Sequence, residues 1–223
     1  MGRARARPRT SRRSLLLLPV LGAVVIAAVL YQGPPIVREV WSHVGVLRVE
    51  SHADVIRAAA AESGVDPCLL AGIMYVESRG RPEAVSGKGA LGLFQLMTSA
   101  AGDSARRLKL PEPAREDLLS DPLLNARLAA SHLAWLQRHE GPDPERVLVA
   151  YNAGRGRLAG WIREAGSFEA WREGRERAGG QGTLAYARQV LGMCRRFRER
   201  AAISPPPQAR GSAGGEATTG LPL

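Results

Sequence analysis

The sequence predicts an all-α domain that follows an N-terminal membrane anchor. Aromatic residues make up only 5% of the chain, whereas Ala, Leu, Gly and Arg are abundant. Asp-Pro pairs mark helix starts, and apolar residues recur at helical spacing in several segments, while no segment has the alternation of a half-buried strand. A chain of 223 residues is long enough for one such domain and too short for two large ones.

The first 14 residues form a basic tail that contains no acidic residue. Its charge comes from Arg3, Arg5, Arg7, Arg9, Arg12 and Arg13. Without these six, the 31 basic residues become 25 against 21 acidic ones, so the formal charge of +10 falls to +4. Because the excess charge lies in the tail, it does not indicate a nucleic-acid-binding surface, and no nucleic-acid partner is expected.

Residues 15–31 (LLLLPVLGAVVIAAVLY) contain no charged side chain. Their length is at the short end for a membrane-spanning helix and exceeds a typical signal-peptide core. The positive-inside rule keeps the basic tail cytoplasmic, so the rest of the chain is exported. The sequence predicts a single-pass anchor in the inner membrane with the domain in the periplasm. A cleaved signal peptide with secretion stays open as the alternative, because Ala27 and Ala28 supply small residues.

Three further boundaries follow from composition. Gly33-Pro34-Pro35 ends the anchor helix, and residues 32–49 are expected to form a stalk of uncertain structure. The helical domain spans residues 50–200, and residues 201–223, rich in Ala, Pro and Gly, are predicted to be a disordered tail.

Within the domain, helices start at Asp66-Pro67 and Asp121-Pro122, where an N-cap residue precedes proline. The helix before them, which begins near Ser51, stops at Ser63-Gly64. The expected helices cover residues 51–63, 66–78, 92–108, 121–139, 145–152, a few turns within 156–170, and 183–200. Glycine, proline or charged residues dominate the segments between them, which are therefore expected to be loops: 79–90, 111–120 and 173–182.

Glu77 lies in the last turn of an otherwise apolar helix. A partly buried carboxyl group has its charged form disfavoured, so its pKa rises and it can hold a proton near neutral pH. A general acid that cleaves a glycosidic bond needs this property. Glu77 also opens a glycine-studded run, ESRGRPEAVSGKGALGLFQLM, in which backbone and an amide can approach an extended polar ligand.

The run that begins at Glu77 is one of several separate motifs in the chain. The motif residues are Glu77-Ser78, Pro82, Ala84, Ser86, Gly89-Ala90, Gly92-Leu93, Gln95, Met97, the AYNAG run at 150–154, Tyr186, and the helix starts Asp66-Pro67 and Asp121-Pro122 with Asn125. These motifs, taken in their order along the chain, resemble those of the SLT-type lytic transglycosylases, a lysozyme-like family. The resemblance covers residues 50–197. The resemblance implies a lysozyme-like helical domain that cleaves peptidoglycan glycan strands.

The resemblance also implies a role for each matching residue. Glu77 corresponds to the catalytic acid/base, Ser86 to a serine that hydrogen-bonds near the reacting sugar, and Gln95 to a glutamine that contacts substrate. Met97 corresponds to a residue lining the cleft. Ser86 is alternatively a residue that stabilises the loop turn, and Met97 a core residue.

On the other side of the expected cleft, Tyr151 and Asn152 correspond to residues that face the acid, and Tyr186 to a tyrosine that orients it. Tyr186 is alternatively an ordinary amphipathic-helix residue. Two positions depart from the family pattern. Phe94 replaces a methionine as an apolar wall, and Gly182 replaces a glutamate before the last tyrosine, which affects the roof of the cleft.

The mechanism that the resemblance implies needs no metal or cofactor. Glu77 protonates the bond between N-acetylmuramic acid and N-acetylglucosamine, and later removes a proton from the 6-hydroxyl, giving a 1,6-anhydro product. Most glycosidases use two carboxylates, but the motifs offer no second catalytic acid: Asp103 and Asp117 lie outside them, and Asp121 marks a helix start. A hydrolytic muramidase and a wall-binding protein with an inactive cleft remain as rivals.

Cys68 and Cys194 are the only cysteines in the sequence. Their spacing excludes a zinc knuckle or a CxxC redox pair. In an oxidising compartment they form either one disulfide or two buried thiols that never meet. The protein is expected to be a monomer. Its place of cleavage along a strand, its need for peptide stems and its biological role are open.

Overall fold

The computed structural model of the protein describes residues 35–200 and 202–203. These residues form ten helices: α1 Pro35–Ser51, α2 Ala53–Ser63, α3 Pro67–Ser78, α4 Thr98–Leu108, α5 Arg115–Ser120, α6 Pro122–Glu140, α7 Pro144–Ala153, α8 Arg155–Ala165, α9 Phe168–Arg177 and α10 Thr183–Arg198. The described residues contain no strand beyond isolated β-bridges. The all-α prediction is therefore confirmed. The chain divides into two compact units, Met1–Val44 and Gly45–Leu223, and the second holds the site.

Helix α3 lies at the centre of the second unit, with nine of its twelve residues buried. Helix α10 packs along α3 and against α7, while α2 and α4 both pack against α6. Because α3 is apolar on all sides, it can only be covered by neighbouring helices. Its last turn carries Glu77 out of this core, toward the loop that follows.

Three helices begin with the same device, an aspartate N-cap followed by proline. Asp66, Asp121 and Asp143 each accept a hydrogen bond from a backbone N–H of the first turn, at 2.8–2.9 Å. The proline has no N–H to leave unpaired, and its fixed φ suits the first helical position. The first two starts were predicted, and the third places α7 one residue earlier than expected.

The helix expected over residues 92–108 begins only at Thr98. Residues 91–96 instead form a tight turn, in which Leu91 makes isolated antiparallel bridges to Val85 and Leu96. Gly92 (φ 75°) and Gln95 (φ 48°) adopt left-handed backbone conformations, which an α-helix excludes. The helical prediction was therefore wrong for this segment, whose apolar residues fill the core from a turn.

Two segments expected to be loops contain helical residues, because α5 lies within 111–120 and the second half of α9 extends over residues 173–177. In α5, Leu118 is 1% exposed, so one buried anchor holds a six-residue helix in place. In α9, Phe168 and Trp171 are buried, and the Ser167 side chain caps the helix by accepting a hydrogen bond from the backbone N–H of Ala170. Burial of these apolar side chains outweighs the charged and glycine-rich composition on which the loop prediction was based.

At the N-terminal side, the predicted stalk is helical from Pro35 onward, and Val46 and Val49 are buried in the core of the second unit. Ile203 is also a core residue. The predicted anchor, residues 15–31, and residues 204–223 lie outside the described part of the chain. Within residues 35–200 and 202–203, every helix is too short or too polar to cross a membrane.

Helices α3 and α10 approach closely at Gly72. A Cβ atom at this position would lie 2.6 Å from the backbone oxygen of Val190. We expect Gly72→Ala to destabilise the fold by about 1–3 kcal/mol through overpacking, which exceeds the roughly 1 kcal/mol that alanine gains over glycine in a helix. Gly174→Ala, in α9 with open space around it, should be neutral or stabilising. Chemical denaturation of both variants checks this, and a stable Gly72→Ala would contradict the close approach.

Both cysteines lie on this pair of helices, Cys68 on α3 and Cys194 on α10, and both are buried. No disulfide joins them in the structure. The Arg198 guanidinium lies 3.7 Å from the Cys194 sulfur. Burial raises the pKa of the Cys194 thiol to about 11, so this thiol is protonated and unreactive at neutral pH.

Candidate active site

A cleft of about 450 Å³ opens beside the last turn of α3. Four parts of the chain form its walls: the end of α3, the loop of residues 79–97 with the start of α4, the junction of α7 and α8 with one residue of α6, and the start of α10. The lining residues are Glu77, Ser86, Lys88, Ala90, Gln95, Leu96, Met97, Ala100, His132, Tyr151, Asn152, Ala153, Arg157 and Thr183.

Glu77 is the only acidic residue among the described residues that line this cleft. Its Oε1 accepts a hydrogen bond of 2.7 Å from the Tyr186 hydroxyl. Burial raises the pKa of the Glu77 carboxyl from 4.5 to about 7, and the hydrogen bond from Tyr186 offsets part of this rise. At neutral pH a large fraction of molecules therefore carries a protonated Glu77 that can donate a proton to a ligand in the cleft.

Tyr186 and Tyr151 stay protonated beside this carboxyl group. Burial and the nearby charge of Glu77 raise the pKa of both phenols well above the usual value. The Tyr151 hydroxyl donates to the backbone oxygen of Phe94 at 3.2 Å, so it ties α7 to the loop rather than touching Glu77. Tyr186 contacts the acid directly, which contradicts the alternative that it is an ordinary helix residue.

Ser86 and Gln95 line the cleft and also hold the loop in shape. The Ser86 Oγ accepts hydrogen bonds from the backbone N–H groups of Ala90 (2.9 Å) and Lys88 (3.3 Å). The Gln95 Nε2 donates to two backbone oxygens, those of Ala84 and Gly92, both at 3.0 Å. Ser86 thus stabilises the loop turn, as the alternative for this residue proposed, and it also lines the cleft.

The remaining predicted residues divide between cleft and core. Met97 is 45% exposed and Asn152 is exposed, and both line the cleft. Met97 is therefore not a core residue. Phe94, expected to be an apolar wall, is fully buried in the core, and only its backbone reaches toward the site.

Two buried polar side chains fasten the loop beside Glu77. The Asn125 Oδ1 accepts from the Phe94 N–H at 3.0 Å, and its Nδ2 donates to the oxygens of Leu118 (3.1 Å) and Leu91 (3.3 Å). The Ser78 Oγ donates to the oxygen of Leu93 at 2.8 Å. A buried turn needs such partners for its backbone groups, so the asparagine and serine of the motif support the site without entering the cleft.

Four polar residues of the cleft were not predicted: Lys88, His132, Arg157 and Thr183. Lys88 lies inside the quoted loop motif and Arg157 follows the AYNAG run by three residues, so positive charge next to the motifs was a signal for both. His132 gave no such signal, because it lies within the regular pattern of α6. Burial and the neighbouring Arg107 cation lower the pKa of His132 to about 4, so it is neutral at physiological pH.

The other acidic candidates serve their own helices. Asp103 pairs with an arginine one turn away, and Asp117 and Asp121 accept hydrogen bonds from backbone N–H groups at helix starts. In the part of the chain that the structure describes, no three His, Cys, Asp or Glu side chains are grouped as metal ligands.

The family description "Transglycosylase SLT domain" matches residues 54–173, which is more than half of the chain and includes Glu77, the loop that follows it and Tyr151 on α7. The chain belongs to this family. The match confirms the predicted family and enzyme class of the SLT domain. It ends before α10, so Tyr186 enters the site from outside the matched range.

Named relatives support the same assignment of the SLT domain. The chain is 34% identical over 157 residues to the endo-type membrane-bound lytic murein transglycosylase A of Klebsiella pneumoniae, covering 66% of this chain and 74% of that protein. It is 35% identical over 118 residues to the membrane-bound lytic murein transglycosylase C of Serratia proteamaculans, covering 49% and 33%.

Solved structures are similar to the SLT domain as well. An inactive glutamate-to-glutamine mutant of the lytic transglycosylase Slt from Pseudomonas aeruginosa aligns with a TM-score of 0.59 and 26% identity over 68% of this chain. The soluble lytic transglycosylase SLT70 of Escherichia coli aligns with a TM-score of 0.56 and 25% identity over 65% of this chain. A complex of the 70-kDa soluble lytic transglycosylase with bulgecin A aligns with a TM-score of 0.57 and 26% identity over 65%. The chain spans about a quarter (24%) of these longer proteins. The lysozyme-like fold is thereby confirmed.

Proposed function

We propose that this protein is a peptidoglycan lytic transglycosylase that cleaves the β-1,4 bond between N-acetylmuramic acid and N-acetylglucosamine without consuming water. The observation that carries the proposal is Glu77, the one acidic side chain lining the described cleft, held by Tyr186 and with its pKa raised to about 7. A family whose members are named murein transglycosylases supports the choice of substrate.

The reaction uses Glu77 twice. The protonated carboxyl group gives its proton to the glycosidic oxygen as the bond from that oxygen to the muramic C1 breaks, and the N-acetyl oxygen of muramic acid stabilises the cationic carbon. The carboxylate of Glu77 then takes the proton of the muramic 6-hydroxyl, whose oxygen bonds to C1. The 1,6-anhydro ring closes, and the acid is protonated again for the next turnover.

A carboxyl group with a pKa near 7 suits both halves of this cycle, since it donates and accepts a proton with similar ease at neutral pH. A single carboxylate suffices only because the substrate supplies the nucleophiles itself, an accepted exception to the two-carboxylate scheme. Gly182, which starts α10 where the family pattern has a glutamate, adds no second acid to the cleft.

The products of digestion test the proposal. Purified full-length protein is incubated with purified peptidoglycan, and the released muropeptides are identified by mass spectrometry. Muropeptides that end in 1,6-anhydro-muramic acid are the expected result. Reducing ends would mean that water is the nucleophile and the protein is a muramidase, and no release from any wall preparation would mean a binding role.

The placement in the cell follows the sequence argument. We propose that residues 15–31 anchor the protein in the inner membrane as a monomer with the domain in the periplasm. The names of the membrane-bound relatives support attachment to a membrane. Fractionation of cells that produce the full chain tests it, because a secreted, cleaved form would appear in the soluble fraction with a shortened N-terminus.

The bond between Tyr186 and Glu77 predicts a specific change in pH dependence. The bond favours the charged form of the acid, so Tyr186→Phe should raise the pKa of Glu77 further, by about one unit. Activity requires the protonated acid, so the fall of kcat/KM at high pH should move upward by this amount, while kcat at the optimum drops roughly ten-fold because the acid is less well oriented.

Tyr151→Phe is the matched control for this measurement. Its hydroxyl bonds to the backbone of Phe94 and not to Glu77, so the alkaline limb of its pH profile should stay where it is in the wild type. Equal shifts in the two variants would mean that the Tyr186 bond does not set the pKa of the acid.

A further inference from the structure

Two cationic side chains, Lys88 and Arg157, line the same cleft as Glu77 but come from different segments. Lys88 belongs to the loop that follows α3, and Arg157 belongs to α8. Both are exposed. Lys88 is one of only two lysines in a chain whose other basic residues are arginines.

Neither cation has an acidic partner among the described residues. The ion pairs of the domain involve other arginines, and the Arg157 Nη1 donates only to the backbone oxygen of Ala153 at 3.1 Å. Glu77 is the one acid lining the cleft, and a large fraction of it is uncharged at neutral pH. The cleft therefore presents a net positive charge to any ligand that enters it.

These charges do not act on the acid. Burial and the Tyr186 bond account for the pKa of Glu77, whereas a cation in contact with the carboxylate would pull that pKa down. Lys88 and Arg157 thus line the cleft without setting the pKa of the acid. Their charge is available to a part of the substrate other than the bond that breaks.

We propose that Lys88 and Arg157 bind a carboxylate carried on the lactyl arm of muramic acid, so that the cleft selects anionic strands over neutral ones; this rests on the proposed function. The sugar rings and their N-acetyl groups are uncharged, so a carboxylate can come only from the arm. It belongs either to the peptide stem attached there or, on a stripped strand, to the lactyl group itself. The stem is the expected source, because it carries several carboxylates.

The experiment compares strands that differ only in charge. Intact stem-bearing strands, strands stripped of stems by an amidase, and each of these after carbodiimide-driven amidation of its carboxylates are given to the full-length protein. We expect the wild type to show a KM about ten-fold lower for intact than for amidated strands. A KM on stripped strands as low as on intact strands would assign the bound carboxylate to the lactyl group. A higher KM on stripped strands would assign it to the peptide stem.

Variants then test the two residues. Lys88→Gln and Arg157→Gln should each raise KM on intact strands about three- to five-fold, leave kcat within about two-fold, and reduce the effect of amidation. Lys88→Arg should restore most of the binding. Lys109→Gln and Arg163→Gln make the same charge changes at exposed positions that do not line the cleft, and should behave like the wild type.

Failure of this inference is separable from failure of the proposed function. Two results would overturn the role of Lys88 and Arg157 while cleavage continues. One is a wild-type KM that does not change after amidation, and the other is a variant that keeps the full difference in KM between intact and amidated strands. If no strand is cleaved at all, co-sedimentation of the Glu77→Gln protein with intact and amidated strands still measures the preference. Equal binding to both would overturn it.

Discussion

Glu77→Gln is expected to lower kcat by about 10³-fold or more while the fold stays intact. Glutamine keeps the shape of the side chain and can still accept the hydrogen bond from Tyr186. It cannot donate a proton to the glycosidic oxygen or remove one from the 6-hydroxyl, so both steps of the cycle fail.

The same substitution should stabilise the protein at higher pH. In the folded chain the pKa of Glu77 is about 7, against 4.5 ordinarily. Between these values the folded state keeps a proton that the unfolded state has lost, so the wild type loses stability as pH rises from about 4.5 through 7. Glutamine does not titrate. The free energy of unfolding of Glu77→Gln should therefore exceed that of the wild type by up to about 3 kcal/mol at pH 8 and converge with it near pH 4.

Denaturation curves at pH 4, 6 and 8 and a strand-cleavage assay check both parts. Glu83→Gln is the matched control, because Glu83 is an exposed glutamate in the adjacent loop that does not line the cleft. It should leave activity and stability unchanged at every pH. Substantial cleavage by a folded Glu77→Gln protein would remove Glu77 from its proposed role.

Gly92→Ala is expected to have the second largest effect, because both the backbone and the space at this position exclude a side chain. The residue has φ 75°, and a Cβ would lie 2.4 Å from the oxygen of Leu118 and 2.5 Å from the Asn125 amide nitrogen. Asn125 cannot move away without breaking its bonds to the turn. We expect a loss of about 3–5 kcal/mol in the free energy of unfolding.

The turn that Gly92 closes also carries Gln95 and Met97 into the cleft, so any protein that still folds should lose most of its activity. Thermal denaturation followed by cleavage assays at a temperature where the variant is folded separates the two effects. Gly87→Ala is the matched control in the same loop, since Gly87 has negative φ and open space around it. A Gly92→Ala protein as stable as Gly87→Ala would show that the turn tolerates a side chain.

Local signals were sufficient to predict most of the fold. Asp66 and Asp121 start helices through a hydrogen bond to their own first turn, a property of a few adjacent residues. The extension of α9 over residues 173–177 and the turn at residues 91–96 were missed because long-range contacts decide them. Phe168 finds a buried position, and the turn owes its backbone bonds to Asn125, which is more than thirty residues away.

The site divides in a similar way. The motifs predicted Glu77 and five other residues that line the cleft, together with Tyr186, which bonds to Glu77. They could not tell which apolar residues of a motif face the cleft and which are buried. Phe94 and Met97 are both apolar residues in one short run, yet one is buried and the other is 45% exposed. Lys88 and Arg157 were missed because they line the cleft only once distant segments have folded around it. The spacing of residues along the chain does not reveal which side chains border such a cleft.

The hydrogen bond from Tyr186 to Glu77 joins two residues that are 109 positions apart. The acid comes from the central helix and the tyrosine from the last one, so a chain leaving the ribosome contains Glu77 long before it contains its partner. During that interval the carboxyl group has neither α10 packed along its helix nor a hydroxyl to orient it. Lytic capacity is thus the last property the chain acquires, and a fragment that stops before α10 should be harmless to the wall of the cell that makes it.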